Sequence, residues 1–172
     1  MLRLINNYNP DFLKEKFITL IKQHEGLILK ICKMYGNTAE DQADIYQDIA
    51  LQLWRSFPSF KEISKVSTWI YRIGLNTAIT RLRKEKKHSN KKEIDDWAMA
   101  LPSSSYKEEQ EKDQLMQLAI QQLTEIEKSI VLLYLEDKSY KEMAEIIGIT
   151  ESNIGFKLNQ IKTKLKSIIT TL

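Results

Sequence analysis

Apolar residues recur at helical spacing along most of the chain, and strand-like alternation is absent. From Asp11 to Tyr35, a stripe of Phe12, Phe17, Leu20, Ile21, Leu27, Ile28, Ile31 and Tyr35 predicts a first helix. Pro10 with Asp11 offers its start and Gly36 its stop. Thr38, with Asp41 three residues on, is a capping-box-like opening for a second helix. Its stripe is Ile45, Ile49, Leu53 and Phe57, and Pro58 ends it. A short loop, Pro58 to Ser67, follows. A third helix begins near Ser67–Trp69, carries Ile70, Ile73, Leu75, Ala78, Ile79 and Leu82, and runs out into the basic tract Arg81–Lys87.

Periodicity is lost from about residue 88 to 112, and Pro102-Ser103-Ser104-Ser105 breaks any helix there. Trp97, Met99 and Leu101 lie in this linker, so it is not a purely solvated spacer. Beyond it, Leu115, Met116, Leu118, Ala119 and Leu123 predict another helix. Thr124 with Glu127 and Ser139 with Glu142 are capping boxes; Thr150 caps a later helix with Asn153 as a weaker partner. Gly148-Ile149-Thr150 joins a short helix, Tyr140–Ile147, to a longer one, Glu151–Ile169. A short helix, a glycine-containing turn and a longer helix form the helix-turn-helix pattern. The expected fold is all-α: two small helical domains, 1–90 and 113–172, joined by a flexible acidic linker, 91–112.

Composition narrows the class. Five glycines and three prolines in 172 residues leave helix as the default. No apolar run reaches the roughly 18 residues that span a bilayer, and Met1 to Pro10 lacks a signal-peptide core. A soluble, cytoplasmic protein without membrane insertion is expected. The single cysteine, Cys32, excludes a disulfide within the chain and a cysteine-rich zinc site, and reads as the filler of a helix face. His24 and His88 are far apart in sequence, with no nucleophile, metal cluster or phosphate loop beside either. Neither an enzyme, a cofactor nor a metal is expected. Net charge is only +3, but its distribution is uneven. Lys61 to Lys92 holds ten Lys and Arg against Glu62 and Glu85, a net +8. Glu93 to Asp113 holds seven acids against Lys107 and Lys112, a net −5. This asymmetry suggests a polyanion partner, or else a solvated helix end beside a solvated linker.

Three constellations carry candidate chemistry. In a helix-turn-helix the second helix enters the major groove with residues near its N-terminus on base edges. Here Ile154, Leu158, Ile161 and Leu165 mark its buried face, leaving Asn153, Phe156, Lys157, Asn159 and Gln160 outward. Asn and Gln can pair with adenine, Phe can pack on a thymine methyl, and Lys can take phosphate. Lys162, Lys164 and Lys166 extend a positive flank. On the third helix, Trp69, Tyr71 and Arg72 precede Asn76, with Arg81, Arg83, Lys84, Lys86 and Lys87 beyond. Aromatics with a basic track hold single strands, although each aromatic taken alone reads better as a core residue. On the second helix, Asp41, Asp44 and Asp48 share a face with Gln47, near Trp54. Such a stripe is either solvated or turned to a basic partner.

Three segments together resemble region 2 of the sigma-70 family. They are Asp44-Ile45-Tyr46-Gln47-Asp48-Ile49, Leu53-Trp54-Arg55-Ser56-Phe57, and Ser67 through Ile79 with its Trp69-Ile70-Tyr71-Arg72. Leu123-Thr124, Ser139-Tyr140-Lys141-Glu142-Met143-Ala144 and Gly148-Ile149-Thr150-Glu151 resemble its region 4. With only a linker between, the chain is similar to extracytoplasmic-function sigma factors from about residue 11 to 170. The resemblance implies core RNA polymerase, promoter DNA and an anti-sigma factor as partners. Asp44, Gln47, Asp48 and Trp54 would face the clamp coiled coil of the largest polymerase subunit, and region 4 would meet the β flap. Phe60, Lys61, Ser64 and Lys65 would cradle a flipped −10 base above Arg72 and Asn76. Arg81, Arg83 and Lys84 would hold phosphates. Asn153, Gly155, Phe156, Lys157, Asn159 and Gln160 would meet the −35 element, and the linker would thread toward the RNA exit path. Two departures stand out. Gly155 and Gln160 sit where many relatives carry Lys or Arg, and the Asp137-Lys138 turn lacks a glycine often found there. Gly155 therefore implies either modest −35 affinity or close approach of its backbone to DNA. Two rivals would differ in sequence. An adaptor that never touches promoters would lose the basic tract, and an unrelated two-module regulator would lack the Asp44/Gln47/Asp48 stripe.

Overall fold

The computed structural model describes residues 10–89 and 115–171, and among them every regular element is a helix. The chain divides into two compact units, Met1–Leu82 and Arg83–Leu172. The division falls within a helix, ahead of the domain end expected at residue 90. The linker expected at 91–112, with Trp97, Met99 and Leu101, lies outside the described residues.

The first unit holds α1 (Pro10–Gln23), α2 (Glu25–Tyr35), α3 (Ala39–Ser56), a 3-10 turn at Phe57–Ser59, and α4, which starts at Val66 and continues to Ser89. The single first helix expected from Asp11 to Tyr35 is in fact two. His24, at φ −116° and ψ 13°, leaves helical geometry. Its N–H donates to Ile21 O, and Leu27 N–H donates to His24 O, both in tight three-residue turns. Gly26, a weak helix former, lies two residues on. The apolar spacing passes through this joint in phase, so periodicity alone does not reveal it.

Thr38 opens α3 as expected: its hydroxyl accepts from Asp41 N–H, and Asp41 accepts from Thr38 N–H at 3.1 Å. One face of each helix is then committed to a common core. Ile28, Ile31 and Cys32 of α2 join Ile45, Ile49 and Leu53 of α3 and Ile70, Tyr71, Leu75 and Ala78 of α4. Burial also pushes the Cys32 thiol up to about 11, which keeps it protonated at neutral pH. Gly74 of α4 permits a close approach: a Cβ there would stand 2.6 Å from Ile31 Cδ1. An aromatic chain closes one end of the bundle. Phe17 meets Trp54 edge-on at 5.1 Å and Phe57 at 5.4 Å, Phe57 meets Trp69 at 6.4 Å, and Trp69 stacks on Phe60 at 4.6 Å.

The second unit includes α5 (115–121), α6 (Glu125–Leu135), α7 (Tyr140–Ile147) and α8 (Glu151–Thr171). Both expected capping boxes form, Thr124 with Glu127 and Ser139 with Glu142. Thr150 caps α8 one way, its hydroxyl accepting from Asn153 N–H at 3.3 Å. Ala119, Leu123, Ile130, Leu133, Met143, Ile146, Ile154, Leu158 and Ile161 fill the core. Gly148 ends α7 at φ +83°, a left-handed conformation that costs glycine little. Asp137 takes φ +52° in the turn before α7 where a glycine is often found. A short polar residue tolerates that conformation at modest cost, so the turn keeps its course without glycine.

Candidate functional site

Three surfaces carry the candidate residues. On α3, Asp44 lies about one turn before Gln47 and Asp48, which places the three on one side as 3.6-residue spacing requires. Asp44 and Asp48 are half-exposed and share one guanidinium. Arg81 Nη2 donates to Asp44 Oδ2 at 2.8 Å and Nη1 to Asp48 Oδ2 at 2.9 Å. Arg81 was expected on the phosphate track; it is tied to the acidic face. Trp54, expected beside these acids, is half-buried against Phe17 and belongs to the aromatic chain. Leu51, three residues beyond Asp48, is instead exposed. The sequence reading missed it, although an apolar residue at that spacing on an acidic face was a visible signal.

The second surface is the loop into α4. Phe60 is half-buried by its stack on Trp69, which fixes the loop's entry. Lys61 and Lys65 are exposed and Ser64 is half-buried. Glu62 adopts φ +55°, a strained conformation for a residue with a side chain. That turn presents Ile63, 88% exposed, at the tip. Ile63 was also missed, although it is an apolar residue in a polar loop, outside any helical stripe. Arg72 and Asn76 are exposed one turn apart on α4, and Arg83 and Lys84 are exposed in its C-terminal turns. Tyr71 is not available for base stacking: it is fully buried, and the core reading holds for it.

The third surface is the outer face of α8. Asn153, Asn159 and Gln160 are exposed, Lys157 is half-buried, and Phe156 is 62% exposed, unusual for a large aromatic. Gly155 faces the preceding helix: a Cβ there would meet Tyr140 Cε2 at 3.4 Å, ordinary contact. The Tyr140 ring therefore leaves room for a methyl group, and packing does not require glycine at this position. The expected flank is partly engaged within the unit. Lys162 lies over the Tyr134 ring at 4.7 Å, and Lys164 Nζ donates to Glu127 Oε2 at 2.9 Å. Among the described residues no cluster of three or more His, Cys, Asp or Glu could hold a metal, and no helix is long and apolar enough to cross a membrane.

A helical bundle with an acid-faced helix and a basic helix, followed by a helix-turn-helix unit, defines a two-module DNA-binding class. The sequence matches the family Sigma-70 region 2 over residues 20–88 and Sigma-70, region 4 over residues 113–165. The chain belongs to the sigma-70 family of RNA polymerase sigma factors, in its extracytoplasmic-function branch. It is 24% identical over 154 residues to the ECF RNA polymerase sigma factor SigM of Mycobacterium tuberculosis, covering 89% of this chain and 76% of SigM. It is 29% identical over 146 residues to the RNA polymerase sigma factor SigV of Bacillus subtilis, covering 84% of this chain and 86% of SigV. Its fold is similar to that of the sigma factor RpoE from Bartonella quintana, solved with the anti-sigma factor NepR. The TM-score is 0.64 at 19% identity, over 93% of this chain and 97% of RpoE.

Proposed function

We propose that the first module, residues 1–90, docks on core RNA polymerase and opens the −10 element, while residues 113–172 read the −35 element. The acidic segment 91–112 would join the two. The observation that carries this reading is the exposed outer face of α8, with Asn153, Phe156 and Gln160, in one chain with a region 2 module. The clamp coiled coil of the largest subunit would take Asp44, Gln47 and Asp48, with exposed Leu51 beside them. Trp54 would support that face from inside through Phe17. The loop Lys61–Lys65 would receive an extruded −10 base, offsetting the few kcal/mol of lost stacking. Ile63 offers it an apolar surface, Phe60 holds the loop on Trp69, and Ser64, Arg72 and Asn76 supply polar contacts. Lys61, Lys65, Arg83 and Lys84 would hold phosphates. On α8, Asn153, Asn159 and Gln160 would reach base edges, Phe156 a thymine methyl and Lys157 a phosphate. Gly155 would contribute no side chain to the −35 contact. The β flap would hold the second module.

Such a factor works in the cytoplasm, with polymerase and promoters. RpoE of Bartonella quintana is held by the anti-sigma factor NepR, which supports a comparable inhibitor here. The test is reconstitution: core polymerase plus this protein, with sequencing of the run-off transcripts. A distinct promoter set is expected, and no complex with core polymerase in a pull-down would sink the reading. Asp48→Lys should weaken that complex while the circular dichroism of the free protein is unchanged.

A further inference from the structure

We propose that Arg81 is a positioning residue for polymerase docking, presetting the two carboxylates of α3, rather than a DNA contact. The proposal rests on the docking face put forward above. Arg81 lies on α4 and its partners on α3, so the pairing crosses the bundle. The guanidinium side chain is 24% exposed, while those of Asp44 and Asp48 are 49% and 47% exposed. The cation thus sits inward and the acids outward.

The stereochemistry selects arginine. Asp44 and Asp48 lie four residues apart on α3, and like charges at that spacing repel. Unpinned, each would swing away from the other among its rotamers. A planar guanidinium offers separate nitrogens in fixed geometry, and here Nη2 goes to one acid and Nη1 to the other. Both bonds fall on Oδ2. An ionised carboxylate accepts through two oxygens, so Oδ1 of each is left for a donor from outside. The result is a pair of outward acceptors at a fixed separation, already ordered before a basic helix arrives. Ordering them in advance removes an entropic cost from association.

A second consequence separates this role from a phosphate contact. A cation that binds phosphate releases counterions, so its loss lowers the slope of log K against log salt by about one. A cation committed to two aspartates contributes nothing to that slope. Electrostatics also opposes the proposal in a usable way. Deleting Arg81 makes the face more negative, so a face acting through charge alone would bind a basic partner more tightly.

The experiment measures affinity of the full-length protein for core polymerase, and the salt slope of promoter binding by the holoenzyme. Arg81→Ala should weaken core binding by about threefold to tenfold, the scale of leaving acidic side chains unordered at an interface. The salt slope should stay at the wild-type value. Arg81→Lys, which keeps the charge but lacks the fixed planar fork that sets the two acids apart, should fall between, and it is the variant to use if Arg81→Ala does not fold. In an Asp44→Asn, Asp48→Asn background, Arg81→Ala should have no further effect on core affinity. Core binding that is unchanged or tighter in Arg81→Ala, or a slope reduced by about one, would overturn the proposal. If the double Asn variant itself binds core polymerase normally, the docking face is wrong and the proposal falls with it. If that variant binds weakly while Arg81→Ala binds normally, only the role of Arg81 is wrong.

Discussion

Arg81 Nη1 donates to Asp48 Oδ2 at 2.9 Å, tying a cation of the basic tract back across the bundle to α3. The tract is therefore not uniform: Arg81 is half-buried at its inner edge, whereas Arg83 and Lys84 are exposed. Surface ion pairs of this kind contribute only about 0–1 kcal/mol to stability. Their consequence here is orientation, not folding energy.

Arg83 is the residue on which a phosphate contact should be tested. Arg83→Ala should reduce open-complex formation by the holoenzyme, and should lower the salt slope of promoter binding by about one. Core polymerase affinity should not change. Filter binding over a salt series reads both quantities, and an unaltered slope would remove Arg83 from the phosphate track.

Gly155 gives a prediction of the opposite sign. A helix-interior glycine costs about 0.5–1 kcal/mol relative to alanine, and a Cβ at Gly155 would reach ordinary contact with Tyr140. Gly155→Ala should therefore raise the stability of the second unit by about 0.5–1 kcal/mol and leave −35 binding unchanged. Thermal unfolding and promoter affinity of the holoenzyme check the two halves. A loss of −35 affinity would mean that the backbone at Gly155 lies against the DNA after all.

The helices and their caps were legible in the sequence because their signals are local. Thr38, Thr124 and Ser139 each find the acid three residues on, and Ile154, Leu158 and Ile161 are buried as their spacing requires. What was not legible depends on approaches between distant segments. Nothing near Arg81 in sequence indicates that α3 offers two carboxylates to it, more than thirty residues away. Trp54 read as a partner-facing residue beside the acids and Trp69 as either a base-stacking or a core residue; both are links in one chain with Phe17, Phe57 and Phe60. The joint at His24 escaped notice because a one-residue break preserves the phase of the apolar stripe. That a Cβ at Gly155 would meet only ordinary contact depends on where the Tyr140 ring sits, on another helix.

Gly74 and Ile31 should be strongly coupled. An alanine methyl at Gly74 would stand 2.6 Å from Ile31 Cδ1, too close for either to stay in place. Gly74→Ala should destabilise the first unit by about 1 kcal/mol, at the low end of overpacking, because the clashing atom is the end of a side chain. Ile31→Val deletes that same methyl and should cost about 0.5–1.5 kcal/mol alone. The double variant should be less destabilised than the sum, a coupling that chemical denaturation of the four proteins in a cycle can measure. Strict additivity would mean that α4 shifts instead of pressing on Ile31.

Glu127 should set an acid limit on the second unit. Burial opposes ionisation of its carboxyl, but the Lys164 ammonium and the Thr124 hydrogen bonds outweigh that, and the net effect holds it below its ordinary value of 4.5. Oε2 accepts from Thr124 N–H at 2.8 Å and from Lys164 Nζ at 2.9 Å. Because the folded value is depressed, the unfolded chain binds the proton more tightly, and stability rises with pH between the two values. The contribution is fully present above the unfolded value and is lost as pH falls through the folded one. Glu127→Gln should therefore lower Tm at neutral pH and flatten the acid limb below about pH 5. Lys164→Met should flatten that limb as well, since it removes the largest influence that lowers the carboxyl. Circular dichroism melts of the full-length chain across this range provide the measurement. Tm curves for wild type and Glu127→Gln that run parallel through the acid range would show that another carboxylate sets the limit.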